Sequence, residues 1–324
     1  MPKPLFTIPQ DNLNFLKTHT NMVSTPLTCK ILSHTRSSSL PSRSHPLIPQ
    51  FDDRLRTLNK SDNDLTSSSS LSSIAKKLHS LENVHNSIDD LLLLPHTHQV
   101  FARERREKWV EEITDGYLSL VDACATAKDF VSNSKGYVAS LLSVLRRRRD
   151  TDDLSEFISS RKTTKKMIQK SLRDITSLKN KSSVLALDKD HETIAVISML
   201  KEAESTTLEL IEALLVSVAG GAKSHSSGWC LVARLIIRSR KTSGGQDQDN
   251  ISHSTPEFGD LDATLSKIVS FRTSKSGSVV QIDDVQQQLK DMDGTIQVVE
   301  ERLECLFKRL IKSRVSLLNM QSQF

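Results

Sequence analysis

The chain has 324 residues, which is enough for one large domain or two small ones. Aromatic side chains make up only 4% of it, whereas the strands of sandwiches and barrels favour aromatic and β-branched residues. The composition therefore argues against an all-β fold and favours helices packed through aliphatic side chains. The net charge of +5 is mild and does not by itself require a nucleic-acid partner.

The cysteines and the hydropathy exclude two further classes of protein. Four cysteines lie far apart with no C-x-x-C pair, so neither a zinc cage nor a disulfide framework is indicated. They are Cys29, Cys124, Cys230 and Cys305. The longest apolar stretch, residues 229–237, contains Arg234 and is much shorter than the roughly 20 residues that a membrane-spanning helix needs. We therefore expect an intracellular protein of the cytoplasm or nucleus.

The first 70 residues are rich in Ser, Thr, Pro and His and have few periodic apolar positions. This composition predicts a largely disordered tail. Up to Phe51 the tail carries five Lys or Arg and one acid, Asp11, which resembles an organelle transit peptide. We favour the unstructured tail over organelle targeting. Met22 could also be the true start, in which case residues 1–21 are an extension of the gene model.

Apolar residues at spacings of three and four predict a series of helices after the tail. The expected bounds are about 71–94, 97–130, 135–149, 150–181, 187–218 and 227–237. The fifth helix should stop at Gly220 and Gly221, because glycine tolerates the left-handed turn that ends many helices. The polar, glycine-containing stretch 239–256 predicts a flexible loop. Residues 71–324 are thus predicted to form a single all-α domain, a bundle of long antiparallel helices.

The C-terminal segment has the most regular pattern in the chain. Nine apolar residues alternate steps of three and four without a miss. They are Ile282, Val285, Leu289, Met292, Ile296, Val299, Leu303, Leu306 and Leu310. This seam fits either a coiled coil with another chain or the central helix of a bundle within one chain. Further apolar residues at Val280, Val298, Phe307 and Ile311 widen the stripe, and we therefore favour the bundle.

A basic segment covers residues 146–181, with twelve Lys or Arg against five Asp or Glu and a local net charge of +7. The candidate basic patch within it comprises Arg146, Arg147, Arg148, Arg149, Arg161, Lys162, Lys165 and Lys166. Such a patch could bind the phosphates of nucleic acid or anionic lipid, or act as a two-part nuclear import signal. The alternative is an ordinary solvated helix face, which we favour because basic runs on helices are frequent.

Residue types that carry catalysis are not arranged in any recognisable pattern. His96 and His98 lie two residues apart and His191 adjoins Glu192, but neither arrangement is the i, i+4 histidine pair of a helical zinc site. We interpret these histidines as surface or interface residues. Phosphate-binding glycine loops and the G-x-S-x-G nucleophile elbow do not occur in the sequence. We therefore predict no catalytic residue, no metal, no cofactor and no small-molecule substrate.

Several short strings resemble the plant-specific domain-of-unknown-function 241 family, which is related to BYPASS-type proteins. They are RSSSLPSRSHP at 36–46, EKWV at 107–110, ATAKD at 125–129, LRRRR at 145–149 and SRK at 160–162. The first string is distinctive, and the likeness runs from about His34 to the C-terminus. The resemblance implies a helical plant protein associated with root and shoot development, without enzymatic activity and without catalytic residues.

The string at 36–46 lies inside a predicted disordered segment, where packing does not explain a distinctive sequence. We hypothesise that it is a short linear motif that a protein partner reads, regulated by phosphorylation of Ser39, Ser42 or Ser44. The candidate motif comprises Leu40, Pro41, Ser42, Arg43, Ser44, His45 and Pro46. The predicted function is a non-enzymatic interaction or regulatory factor in root and shoot development. The alternative is a peripheral binder of anionic membrane or nucleic acid that acts through the basic segment.

Overall fold

The computed structural model describes residues 46–60, 70–147, 151–180, 189–221, 257–273 and 282–322. Within these ranges the chain forms eight α-helices and no strand, which confirms the predicted all-α class. The helices are α1 (Leu47–Lys60), α2 (Leu71–Leu92), α3 (Pro95–Arg103), α4 (Lys108–Arg146), α5 (Thr151–Asn180), α6 (His191–Val218), α7 (Glu257–Thr273) and α8 (Ile282–Ser322). None of these helices is long and apolar enough to cross a membrane.

Helix α1 lies within the stretch that the sequence predicted to be a disordered tail, so that prediction is wrong for residues 47–60. Phe51, Leu55 and Leu58 follow one face of this helix and are buried against α2. Arg54 adds a polar tie, since its Nη1 donates to the carbonyl of Asn83 at 2.8 Å. The compact unit that contains the described helices begins at Ser44. The remainder of the predicted tail, 1–45 and 61–69, lies outside the described residues.

Helix α8 is packed between α2 and α4, and contacts along its length set the directions of the three helices. Lys135 Nζ lies 2.8 Å from the Glu300 carboxylate, and Lys128 is paired with Glu304 further along α8. Positions that rise along α4 thus meet positions that fall along α8, and the two helices are antiparallel. Toward α2 the order is the reverse, because Glu82 meets Arg302 and Asp89 meets Ser313. Helices α2 and α8 therefore run parallel.

The apolar seam of α8 is buried within the chain. From Val285 to Leu310, its eight positions whose side chains are described are at most 5% exposed. This confirms that the seam packs in a bundle within the chain rather than in a coiled coil with another chain. The reason given for the choice was wrong in part, because Val298 and Ile311 are 43% and 40% exposed. Phe307 is half-buried, and Val280 lies outside the described residues.

Helix α4 joins most of the predicted second and third helices into one continuous element of 39 residues. The polar residues near 132–135 do not interrupt it, because Ser134 Oγ donates to the carbonyl of Phe130 at 2.7 Å and satisfies its hydroxyl within the helix. The break falls earlier, at 104–107, between α3 and α4. At Gly116, helix α4 lies close to α6, since a Cβ there would lie 2.7 Å from the Glu204 carboxylate of α6.

Helix α6 ends as predicted, at Gly220 and Gly221, which have φ values of +84° and +66°. Helix α7 packs beside this end, against α5 and α6, and was not predicted. Glu257 at its start accepts the backbone N–H of Leu71 at 3.0 Å, and so α7 also caps α2. The predicted helix 227–237 and loop 239–256 lie outside the described residues.

Candidate interaction surfaces

Two of the eight residues of the predicted basic patch are engaged inside the bundle. Arg161 is only 9% exposed; its Nε donates to Asp262 Oδ1 at 3.2 Å and its Nη2 to the carbonyl of Val218 at the end of α6. Its guanidinium also lies 4.6 Å from the ring centroid of Phe258. Lys165 Nζ lies 2.5 Å from the other oxygen of Asp262. The prediction of an open patch is therefore wrong for Arg161 and Lys165, which join α5, α6 and α7.

The exposed cations of the basic segment fall into two places. Arg146 and Arg147 are exposed at the end of α4, while Arg148 and Arg149 lie outside the described residues. Lys162 and Lys166 are exposed on α5, where two cations that the candidate patch did not include continue their row. We call Lys162, Lys166, Lys170 and Arg173 the α5 basic stripe. Within the described part of the chain, none of the four forms an ion pair.

The predicted partner motif is mostly outside the described residues, which begin at its last position. Pro46 is exposed and forms a turn directly before α1. Helix α1 itself is held on α2 by buried Phe51. Residues 40–45 of the motif lie outside the described residues.

A second apolar row lies on α8 beside the buried seam. We call Ile311, Val315 and Leu318 the α8 apolar row; they are 40%, 49% and 41% exposed, and their spacing places them along one side of the helix. Leu118 on α4 is also 40% exposed. In the antiparallel α4–α8 pair, Leu118 is at the level of Ile311, between the Arg314–Thr114 and Lys128–Glu304 contacts. Leu118 and the α8 apolar row are thus exposed at the same level of this helix pair.

The bundle interior contains a histidine that no sequence motif singled out. His85 is fully buried, and its Nε2 lies 2.8 Å from Thr207 Oγ1. Since Thr207 donates its hydroxyl to the carbonyl of Ala203, it accepts from His85. Burial lowers the pKa of His85 to about 4, with Asp89 opposing the shift and Arg309 adding to it. The histidine is consequently a neutral core residue at physiological pH.

Two further buried groups have no reactive role that the geometry supports. The hydroxyl of Tyr117 is buried without a hydrogen-bond partner among the described residues, and burial raises its pKa. Burial likewise raises the pKa of the Cys124 thiol to about 12, which disfavours a nucleophilic thiolate. Both side chains are closed off from solvent, so a substrate has no route to them in this conformation.

The histidines singled out in the sequence lie at the surface or between elements, in agreement with their interpretation. His96 Nε2 is 3.0 Å from the Glu192 carboxylate and is 45% exposed, while His98 Nε2 is 3.0 Å from the carbonyl of Leu92. His191 is exposed at the start of α6. In the described ranges, no group of three or more His, Cys, Asp or Glu side chains is arranged to hold a metal ion.

Two open grooves complete the described surface features. One, of about 460 Å³, lies between the starts of α7 and α8 and is lined by Glu257, Asp284 and Asp291 among others. The other, of about 210 Å³, lies between α4 and α5 beside Asp122 and Asp174. No His, Cys or Lys side chain lines either groove beside its hydroxyl and carboxylate groups. The described residues thus define an all-α bundle whose distinctive features are surfaces.

The family follows from a comparison of the whole sequence. The family model described as Protein BPS1 matches residues 77–320, and the chain belongs to this family. Membership confirms the resemblance to BYPASS-related proteins and indicates a role in plant development. The search of curated proteins gave no match, and neither did the search of solved structures.

Proposed function

We propose that this chain is a non-catalytic interaction factor in root and shoot development, and that the α8 apolar row binds a protein partner. The observation that carries the proposal is the contrast along α8. This helix buries its seam inside the chain, yet keeps Ile311, Val315 and Leu318 about half exposed. An exposed row at i, i+4 and i+7, with exposed Leu118 at the same level of α4, fits the apolar face of a partner helix.

The energetics of this surface suit a reversible complex. Full burial of an aliphatic side chain contributes about 1.5–3 kcal/mol. Because the three residues of the α8 apolar row are already about half buried, each would add roughly 1 kcal/mol on binding. Their combined contribution, about 3 kcal/mol, corresponds to roughly 100-fold in affinity.

The proposal is tested by comparing two triple variants of the full chain. The first carries Ile311→Ser, Val315→Ser and Leu318→Ser. The matched control carries Leu93→Ser, Ile194→Ser and Val298→Ser, which remove three exposed apolar side chains elsewhere, at 68%, 37% and 43% exposure. A partner identified by affinity purification from root and shoot tissue is purified, and its Kd is measured against all three proteins.

We expect the first variant to weaken binding by about 100-fold and the control to leave it within about twofold. Equal affinities of the wild-type chain and the first variant would exclude the α8 apolar row as the binding surface. Thermal unfolding of each variant checks that a loss of binding is not a loss of folding.

A second partner contact is proposed at residues 40–46. The observation that favours it is that Pro46, the last residue of the segment, is exposed directly before α1. Alanine replacement of 40–46 should remove a partner or a developmental phenotype while leaving thermal stability unchanged. Unchanged partners and phenotype would refute a motif at this place.

We also propose an intracellular site of action, in the cytoplasm or nucleus. The support is the cysteine usage, since the four cysteines of the chain are spaced too widely to suggest a disulfide framework. Imaging of a tagged full-length chain in root cells tests this proposal, and accumulation in an organelle or outside the cell would contradict it.

A further inference from the structure

Helix α5 lies at the outside of the bundle and is held on one side only. Its inward residues Ile168 and Ile175 are buried, at 0% and 4% exposure. Polar contacts reinforce the same side, including Lys179 Nζ to the Glu212 carboxylate at 2.9 Å and the Arg161–Asp262 pair. The opposite side of α5, which carries the α5 basic stripe, is exposed.

The α5 basic stripe is a continuous line of positive charge. Its residues are spaced by four, four and three positions, so successive side chains occupy the same side of the helix. From Lys162 to Arg173 the stripe extends about 17 Å along the helix axis. Its length and straightness match a flat array of anions better than a single phosphate.

The stripe also differs from several other lysines that project from the bundle. Lys128, Lys135 and Lys189 each meet a glutamate carboxylate on a neighbouring element. The four cations of the stripe have no such partner within the described residues. Because four cations without an ion-pair partner lie in one row, an external anionic surface interacts there with all four charges at once.

The neighbours of the stripe distinguish a membrane from a nucleic acid. Met167 directly follows Lys166, lies one turn before Lys170, and is 56% exposed. An apolar side chain beside lysines is typical of a helix face that rests in a lipid interface. Among the described residues of α5, the aromatic Phe157 packs against the core, so base stacking is not supported. Three of the four cations are Lys, which binds anions as a point charge rather than through a planar fork.

We propose that the α5 basic stripe binds the anionic headgroups of a lipid bilayer surface, with Met167 entering the interface. The chain would then act as a peripheral membrane protein through α5 while the α8 apolar row remains available to a protein partner. This binding is independent of the proposed protein interaction, since it uses a different helix and different chemistry.

The test measures partition of the full chain onto phosphatidylcholine vesicles with and without phosphatidylserine, at low and physiological salt. The stripe variant carries Lys166→Gln and Lys170→Gln. The matched control carries Lys76→Gln and Lys290→Gln, two exposed lysines on α2 and α8. Neutral glutamine keeps most of the length of each side chain and a similar helix propensity, so both variants are expected to fold.

We expect binding only to the vesicles that contain phosphatidylserine, weakening as the salt concentration rises. Loss of two charges near the surface should lower the partition coefficient about 30-fold, and the control should change it less than about twofold. Absence of vesicle binding, or equal loss in both variants, would overturn the proposal.

The variant Met167→Ser distinguishes binding to lipid from binding to nucleic acid. On vesicles it should lower partition by about fivefold, because half of an apolar side chain is withdrawn from the interface. A parallel titration uses duplex DNA and single-stranded RNA. Tighter binding to either nucleic acid than to the vesicles, lost in the stripe variant but unchanged by Met167→Ser, would assign the stripe to nucleic acid and refute the membrane.

Discussion

Helices α8 and α5 are both long, with 41 and 30 residues, yet α8 is central in the bundle and α5 lies at its outside. The inward row of α8 is apolar at every described position from Val285 to Leu310, and it is buried between α2 and α4. The inward row of α5 mixes Ile168 and Ile175 with Arg161 and Thr164. The comparison shows that an uninterrupted apolar row leads to a central helix, whereas a mixed row leads to an outer helix held by polar contacts.

The largest expected effect comes from removing α8. A chain that ends before Ile282 loses the helix that contacts both α2 and α4 most extensively, and it exposes the buried faces of both. We expect loss of the cooperative thermal transition and of most helical circular dichroism. A truncated chain that still unfolded cooperatively at a similar temperature would show that α8 is not central.

The next effect is a pH dependence of the free energy of unfolding that comes from the core beside α8, through His85, and not from the polar contacts of α5. Folded His85 has a pKa of about 4, below its ordinary 6.5, so the unfolded chain takes up the proton first. Stability is therefore fully present above pH 6.5 and falls toward pH 4, by about 3 kcal/mol at most. His85→Gln, which keeps a donor for Thr207, should remove this part of the pH dependence. The free energy of unfolding in urea is measured for both proteins as a function of pH. Parallel dependences on pH would contradict a titrating core histidine.

A smaller and more local effect is expected on α5. Asp262→Ala leaves Arg161 and Lys165 without their carboxylate, which should cost about 1–3 kcal/mol. Hydrogen exchange should rise in α5 and α7, while α8 remains protected. Asp174→Ala, which removes an exposed acid of α5, is the control. Uniform loss of protection in all helices would mean that α5 is as central as α8.

The smallest effect concerns the regularity of α8 itself. Gly294 is exposed in the helix interior, and a Cβ there would meet nothing within 4 Å. Gly294→Ala should thus stabilise the protein by about 0.5–1 kcal/mol. Gly116→Ala is the matched comparison, because its Cβ would meet the Glu204 carboxylate at 2.7 Å. Thermal unfolding should show a larger gain for the first than for the second, because only the second requires the Glu204 carboxylate to move.

The parts of the fold that sequence predicted well are those with strong local periodicity. The seam of α8, the helix α2 and the glycine stop of α6 all depend on neighbours within one or two turns. Helix α1 was missed because Pro49 and the polar residues around it suggested a tail. Proline is tolerated in the first turn of a helix, whose N–H groups lack partners in any case, and Pro49 is the third residue of α1.

The candidate surfaces were harder to predict, since exposure depends on what packs alongside. Ile311 was expected to be buried because it extends an apolar stripe, but α2 and α4 cover only the central row of α8. Arg161 was counted as surface charge because its partner, Asp262, lies 101 residues further along the chain. Spacing within α5 could have identified the row from Lys162 to Arg173, although not its lack of partners.

The sequence by itself determined the all-α class, most helices and the regular seam of α8, because helix formation and amphipathicity are set by residues three and four positions apart. The tertiary structure alone decided that this seam stays within the chain. It also decided which cations of the basic segment are exposed and which apolar row remains uncovered. These features depend on contacts between residues far apart in sequence, which only the packed chain brings together.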